Sequence, residues 1–290
     1  MTVEDLSRIL GMSWGTVKEI DKSYLEAHYS RPRLKEVRYI AVDEFSVKKG
    51  HKYQTVVYDL EAGRVLYVGQ GRSGESLKPF WKRLKRSGSR LKAIAIDMWP
   101  AYIESVKDHM PEVPVIYDRF HIVRKMNEAL SEIRKELYRR ETDVNNKKVI
   151  KGTRWILLKR NEKVRDNPLQ MAKLEEALNM NAPLAKAYYL KEELNLIWNN
   201  KNKSDAQSFL EEWIDKARSL EMPPMDKFCN LLESHRDGIL NWFKYPISTG
   251  PLEGFNNKIK VLKRKSYGFR DMDYFALKIL ALHENRYALF

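Results

Sequence analysis

Cysteine is almost missing from this chain of 290 residues, in which Cys229 stands alone. A single thiol excludes an intramolecular disulfide framework and any zinc site of clustered cysteines within this sequence. Long apolar runs are missing as well, so no stretch reads as a bilayer-crossing helix. The amino terminus, MTVEDLSRIL, lacks the charged-then-apolar pattern of a secretory signal. These absences point to an intracellular protein with a plain buried thiol and no membrane partner. Acid is scarcer than base: 39 Asp and Glu stand against 53 Lys and Arg, a formal charge of +14. Such a chain seeks polyanions, and without a membrane segment nucleic acid is favoured over lipid. An apolar content of 43% is ordinary for a globular chain, and the length allows one large domain or two smaller ones.

The stretch RYIAVDEFSV, residues 38–47, reads as a β-strand but carries Asp43 and Glu44 at its centre, where strands usually avoid acids. KAIAIDMWPAY puts Asp97 at the end of a second apolar strand, and STGPLEGFNNKIK puts Glu253 in the first turn of a helix. Three acids on three separate elements are expected to converge on one metal site. Each also has a plain reading: Asp43 as an exposed edge-strand acid, Asp97 as a turn residue, and Glu253 as a first-turn acid favoured by the helix dipole. The apolar residues flanking Asp43 argue for its burial. Glu44, Asp59 and Asp118 remain rival ligands, although strand alternation turns Glu44 away from Asp43 and Asp59 lies beside a turn.

Around these acids the chain alternates. Residues 1–28, in a DNA-binding segment expected over 1–30, read as two short helices around Gly11, with Val3, Leu6, Ile9 and Leu10 on the first and Val17, Ile20 and Tyr24 or Leu25 on the second. SRILGMSWGTVKEI resembles a helix-turn-helix, with Met12 as the buried turn residue and Ser13, Trp14, Thr16 and Lys18 presented to a major groove. The chain starts too near this motif to supply a supporting first helix, and an N-terminal truncation is expected. YQTVVYDL and RVLYVGQ form a hairpin about EAG. They are followed by a helix over 74–87, a strand over 91–97, a helix over 99–110 and a strand over 114–118. Three strands, then helix, strand, helix and strand, is the order of an α/β ribonuclease H-like fold with a mixed sheet covered on both faces. A long helix from Phe120 carries Val123, Met126, Leu130, Ile133 and Leu137. Residues 142–247 then read as a helical insertion with Trp155, Leu174, Leu178, Leu194, Trp198, Leu210, Trp213 and Ile214 in its core. NNKK and NNKNKSD read as solvent loops, with a break at Pro223 and Pro224. The core is thus expected over 31–141 and 248–290, ending in a helix over 272–287.

Phosphodiester cleavage in such a fold uses two divalent ions roughly 3.5–4 Å apart, held by hard oxygen ligands that suit Mg²⁺ or Mn²⁺. Asp43 would bridge both ions, with Asp97 on one and Glu253 on the other. On the helix after Pro251, Leu252, Phe255, Ile259 and Leu262 form one face and Glu253, Asn257, Lys260 and Arg264 another. That second face is expected to hold a metal ligand while Lys260, Lys263, Arg264 and Lys265 contact phosphates; a solvated charged face is the plain alternative.

The strings IAVDEFSVKKGHKYQTVVYDL, AIAIDMWPAYI, VIYDRFHIVRKMNEAL and GPLEGFNNKIKVLKRKSYGFRD resemble the insertion-sequence transposases of the DDE type, in particular the ISL-three group, in order and spacing over nearly the whole chain. The resemblance implies that Asp43, Asp97 and Glu253 are the three catalytic acids, and that Asp118 and His121 form a D-x-x-H string that supports the ligands or contacts substrate. It further implies binding of terminal inverted repeats and target DNA, assembly as a homo-oligomer on DNA, and a place in the prokaryotic cytoplasm beside the nucleoid. The sequence departs from the family in carrying no Cys-rich zinc-binding domain, which implies poor cutting or poor end recognition. Two rival readings follow: a truncated remnant that binds DNA without cutting it, and a stand-alone ribonuclease of the same fold.

Overall fold

Two short helices open the chain, α1 (Val3–Leu10) and α2 (Trp14–Tyr29). Gly11 sits between them at φ 63°, a left-handed backbone that ends α1, and the Ser13 hydroxyl accepts the Thr16 amide to start α2. The β-branched and aromatic residues that follow suit a pleated, half-buried surface. In the computed structural model, which describes residues 2–48 and 52–283, they form β1 (Tyr39–Lys48), β2 (Lys52–Asp59) and β3 (Arg64–Gln70). Next come α3 (Lys78–Arg86), β4 (Ala93–Ile96), α4 (Pro100–His109) and β5 (Val115–Tyr117). The five strands make one mixed sheet in the order β3-β2-β1-β4-β5, antiparallel from β3 to β1 and parallel from β1 to β5. As expected, Asp59 closes the β2–β3 hairpin: its carboxylate accepts the Glu61 and Ala62 amides at 3.1 Å.

The chain divides into two units, 2–118 with 247–283, and 119–246. The second unit is all helical: α5 (Arg119–Arg140), α6 (Val144–Gly152), α7 (Asn161–Arg165), α8 (Pro168–Met180), α9 (Ala182–Leu194), α10 (Lys203–Arg218), α11 (Pro223–Ser234) and α12 (Arg236–Leu240). The long helix from Phe120, expected in the sheet unit, belongs to this helical unit because its apolar stripe packs against α9 and α11. NNKK is helical within α6 rather than a loop, since Asp143 caps that helix through the Asn145 and Asn146 amides. Trp155 is 66% exposed and stacked by Arg154, while the neighbouring Ile156 and Leu157 take the buried positions. Pro223 begins α11. Cys229 is buried on that helix, and burial pushes its thiol up to about 11, an unreactive value.

The first unit closes with α13 (Gly250–Lys265) and α14 (Met272–Ala281). Both cover the sheet face formed by Ala41, Phe45 and Val47 of β1, Val56 and Tyr58 of β2, and Ala95 of β4. The helices contribute Leu252, Phe255, Ile259, Phe275 and Ile279. The opposite face takes α3 and α4, with Phe80 against Tyr67 and the Trp81 indole donating to Ser105. The last helix ends earlier than expected, and residues 284–287 of that expectation lie outside the described residues. Among the described residues no helix is long and apolar enough to cross a membrane.

The helical hairpin leans on α14 through Leu25, which packs with Tyr274, Leu277 and Ala281. Ile9, Leu10, Ile20 and Tyr24, expected to be apolar packing positions, are all more than half exposed. Beside that contact Asp271 caps α14 through the Tyr274 amide and accepts Lys18 at 2.7 Å and Lys22 at 3.0 Å. The bond to Lys18 above all, then the Tyr274 amide and Lys22, holds the Asp271 carboxyl well below the usual carboxylate range. A depressed folded-state value stabilises the protein above the unfolded carboxyl value and loses that contribution as pH falls through the folded one. Asp271→Asn keeps the cap and removes the charge, so it should cost about 1 kcal/mol near neutral pH. Urea melts at a series of pH values should show the gap to wild type closing below about pH 4.

Candidate active site

Parallel pairing fixes the first two acids. Tyr39, Ile40, Ala41 and Val42 of β1 lie opposite Ala93, Ile94, Ala95 and Ile96 of β4, so Asp43 and Asp97 follow at the next matched positions. Side chains alternate along a strand, and paired neighbours share a face. Ala41 and Ala95 both point into the core under α13 and α14. Asp43 and Asp97, two residues on, therefore face the same side, on strands about 4.8 Å apart. Both are half-buried.

The third acid arrives on α13. Leu252, Phe255 and Ile259 seat this helix on β1, and Glu253, in its first turn, is half-buried. Three residues along the same face, Asn256 is buried and its side-chain amide donates to Asp43 Oδ2 at 2.8 Å. The other oxygen of Asp43 accepts the Glu44 backbone amide at 2.8 Å. Asn256 was not singled out in the sequence; its spacing from Glu253 was the available signal. The start of α13 is tied down by Asp118. This buried carboxylate accepts the Thr249 amide at 3.0 Å, and the Thr249 carbonyl accepts the Glu253 amide at 3.0 Å. Asp118, next after β5, donates its own amide to the Ile96 carbonyl, beside Asp97. Its role in the fold is thus to bind the returning helix to the strand ends. His121 lies on α5 in the helical unit, half-buried.

Glu44 points to the other face, as alternation requires. It lies opposite Thr55 of β2, whose hydroxyl bonds Ser76 at 2.8 Å and the Tyr102 phenol at 2.9 Å. Burial first, then the negative charges of Glu44, Asp97 and Asp43, hold the Tyr102 phenol far above its ordinary value, so it stays protonated. Asp59 is excluded as a partner of Asp43 by register: it lies opposite Ile40, and its carboxylate serves the hairpin turn.

The expected DNA-contacting residues divide. Trp14 is half-exposed, Ser13 and Thr16 bond each other at the start of α2, and Asn257, Lys260, Arg264 and Lys265 are exposed on α13. Lys18 is not presented outward: it turns to Asp271, which draws it against α14. Lys263 likewise reaches back to the Val47 and Ser46 carbonyls at 2.8 and 3.3 Å, capping the end of β1.

Three carboxylates are the hard oxygen donors that Mg²⁺ or Mn²⁺ prefers. A further oxygen, Oδ1 of Asn256, is buried without a hydrogen-bond partner beside Asp43. This donor chemistry fits a divalent ion. Among the described residues, however, no three His, Cys, Asp or Glu side chains are gathered as a metal-holding group. N–H donors occupy the acids instead, from Asn256 and Glu44 on Asp43 and from the Trp99 backbone on Asp97 at 3.0 Å.

A family model described as a transposase, of the ISL3-type DDE class, matches residues 40–279. The transposase for insertion sequence element IS1001 of Bordetella parapertussis is 36% identical over 282 residues, covering 96% of this chain and 69% of that protein. The transposase for insertion sequence element IS1557 of Mycobacterium tuberculosis is 26% identical over 303 residues, covering 96% and 68%. Among solved structures, the Drosophila P element transposase strand transfer complex aligns with a TM-score of 0.46 at 13% identity, over 87% of this chain and 78% of that one.

If Asp118 anchors α13 as described, Asp118→Ala leaves the Thr249 amide without its acceptor. It should lower stability by about 1–3 kcal/mol in urea unfolding. Asp97→Ala, whose described bond is a local turn, should cost less than about 1 kcal/mol.

Proposed function

This chain belongs to the ISL3-type DDE transposases, enzymes that cut DNA and transfer its strands, and from that membership we propose that Asp43, Asp97 and Glu253 are its catalytic acids. The observation that carries this reading is the matched placement of Asp43 and Asp97 on one sheet face, with α13 joined to that face through Asn256 and Asp43. The strand order, antiparallel then parallel with helices on both faces, supports a ribonuclease H-like core interrupted by the helical unit.

Enzymes of this family work with divalent metal ions. Asp43, Asp97 and Glu253 would hold two, Mg²⁺ or Mn²⁺, through hard carboxylate oxygens. When bound, such ions supply an activated water and charge stabilisation for the departing oxygen. The chain's own residues do the rest. Asn256 orients one oxygen of Asp43, Asp118 holds the helix start that presents Glu253, and the protonated Tyr102 and its hydroxyl partners support the strand behind Asp43. His121 completes the D-x-x-H string that serves the ligands or the substrate. DNA is the polyanion that the charge of +14 anticipates. Asn257, Lys260, Arg264 and Lys265 would contact phosphates beside the acids. The α1–α2 hairpin would read the element's terminal inverted repeats as a helix-turn-helix through Trp14 with Ser13 and Thr16. Hydrolysis at an element end would free a 3′-hydroxyl that attacks target DNA, in a homo-oligomer joined by both ends, in the cytoplasm beside the nucleoid.

One observation favours a second reading, a chain that binds DNA without cutting it: N–H donors from Asn256 and Trp99 lie on Asp43 and Asp97, and among the described residues no three acidic side chains are gathered as a metal-holding group. The two readings part in a nicking assay. Asp43→Ala, Asp97→Ala and Glu253→Ala should each remove Mn²⁺-dependent nicking of end-bearing DNA by at least about 100-fold while leaving end binding largely intact. Wild-type nicking in all three variants would remove the assignment, and an inert wild type would establish the second reading.

A further inference from the structure

Beside Asp97, on the loop after β3, one arginine is held by aromatic stacking. The Arg72 guanidinium lies over the Tyr53 ring at 4.4 Å and over the Trp99 ring at 4.8 Å. The platform is tied from several directions. Trp99 donates its indole N–H to the Arg72 carbonyl at 3.1 Å and its backbone amide to Asp97 Oδ1 at 3.0 Å. Gly71 donates to the Tyr53 carbonyl at 2.9 Å, and its own carbonyl accepts the Thr55 hydroxyl at 2.8 Å. Gly71 takes a φ of 84°, which an L side chain rarely adopts, and this turn brings Arg72 back over Tyr53.

Stacking uses the flat faces of a guanidinium and leaves its N–H edge. Among the described residues Arg72 makes no ion pair and donates no side-chain hydrogen bond. The contrast with its neighbours is informative: Arg64 reaches Asp59 at 3.6 Å and Arg83 donates to the Leu66 carbonyl at 3.2 Å, so each serves the fold. Arg72, Tyr53 and Trp99 are all partly exposed. A planar fork, stacked between two rings and partly exposed, is suited to two parallel hydrogen bonds to one phosphate. Pre-ordering also removes much of the side-chain entropy that an extended arginine loses on binding.

We propose that Arg72, clamped by Tyr53 and Trp99, is a phosphate-binding site for the DNA backbone next to the acidic site. Because Trp99 also holds Asp97, a strand engaged by Arg72 is registered against that carboxylate through a single residue. The inference rests on the reading of the acids given above, but its test does not depend on cutting.

The full chain is titrated in EDTA against a mixed-sequence duplex of about 30 base pairs by fluorescence anisotropy, at a series of salt concentrations. Arg72→Ala should flatten the slope of log K against log salt by about one and weaken binding about tenfold near 0.1 M salt. Arg72→Lys, a point charge that cannot fork, should keep most of the slope yet bind several-fold more weakly than wild type. Trp99→Ala should fall between wild type and Arg72→Ala. Should Arg72→Ala fail to fold, Arg72→Gln keeps a planar amide over both rings and carries the same comparison. A folded Arg72 variant without charge that retains the wild-type slope and affinity would overturn the site, as would Arg72→Lys binding like wild type. Absence of salt-dependent binding by the wild type would instead count against DNA as the partner, so the two failures are distinguishable.

Discussion

The hydrogen bond from Asn256 to Asp43 joins residues 213 positions apart, and the geometry of the acids depends on what lets it form. It requires that β1 present Asp43 to the face that α13 covers. That orientation is set by Ala41, Phe45 and Val47, which must be buried under Leu252, Phe255 and Ile259. A slip of one residue in β1 would send those apolar side chains to the other face and Asp43 with them, exposing Glu44 in its place. The hydrophobic register is therefore also the register of the acids. β4 obeys the same constraint: Ala95 shares the core with Ala41, which commits Asp97 to the side of Asp43.

Adjacent acids on one strand consequently have opposite surroundings. Asp43 meets amide donors at the surface under α13, whereas Glu44 lies opposite Thr55 and acts electrostatically on the buried Tyr102. A phenol kept protonated by burial and by three negative charges stays neutral in a place where a further anion would add to the repulsion among the acids. The polar chain of Tyr102, Thr55 and Ser76 also ties β2 to the loop that follows β3. Asp118 plays the corresponding part at the far end of the parallel strands, where its carboxylate converts a chain return into a fixed helix start. Without such a partner the first turn of α13 would rely on Thr249, whose side-chain oxygen does not accept from the helix amides.

Much of this was legible because the sequence expresses it locally. Strand identity, the β2–β3 hairpin, and the apolar face of α13 follow from alternation and helical spacing. Asp43 stood out because an acid inside an apolar strand conflicts with its surroundings. What escaped was decided by partners distant in sequence. Asn256 looks like its neighbour Asn257 until α13 is laid on β1 and one of the two becomes buried. Asp118 reads as a rival ligand or as part of the D-x-x-H string until Thr249 returns beside it. Trp155 was expected inside because it is large and apolar, yet it occupies the turn after α6, where Ile156 and Leu157 reach the core. The long helix from Phe120 carried an apolar stripe in both readings; the stripe does not say whether helices or a sheet will cover it, and α9 and α11 do.

The same reasoning changes what the net charge means. A count of 53 basic residues says that a polyanion is attracted, but not which side chains are available to it. Lys18 and Lys22 are drawn to Asp271, and Lys263 closes the end of β1. Lys191 is buried on the Leu157 and Lys159 carbonyls beside Glu192, where burial lowers its pKa. Each lowers the energy of the folded chain, and recruiting any of them to a phosphate would first break that contact. Arg72 differs in kind, because aromatic stacking fixes its position while, among the described residues, no acceptor meets its N–H edge. Availability at this surface is therefore a matter of which bonds a cation has already made, and the arginine beside Asp97 is ordered while still holding its donors in reserve.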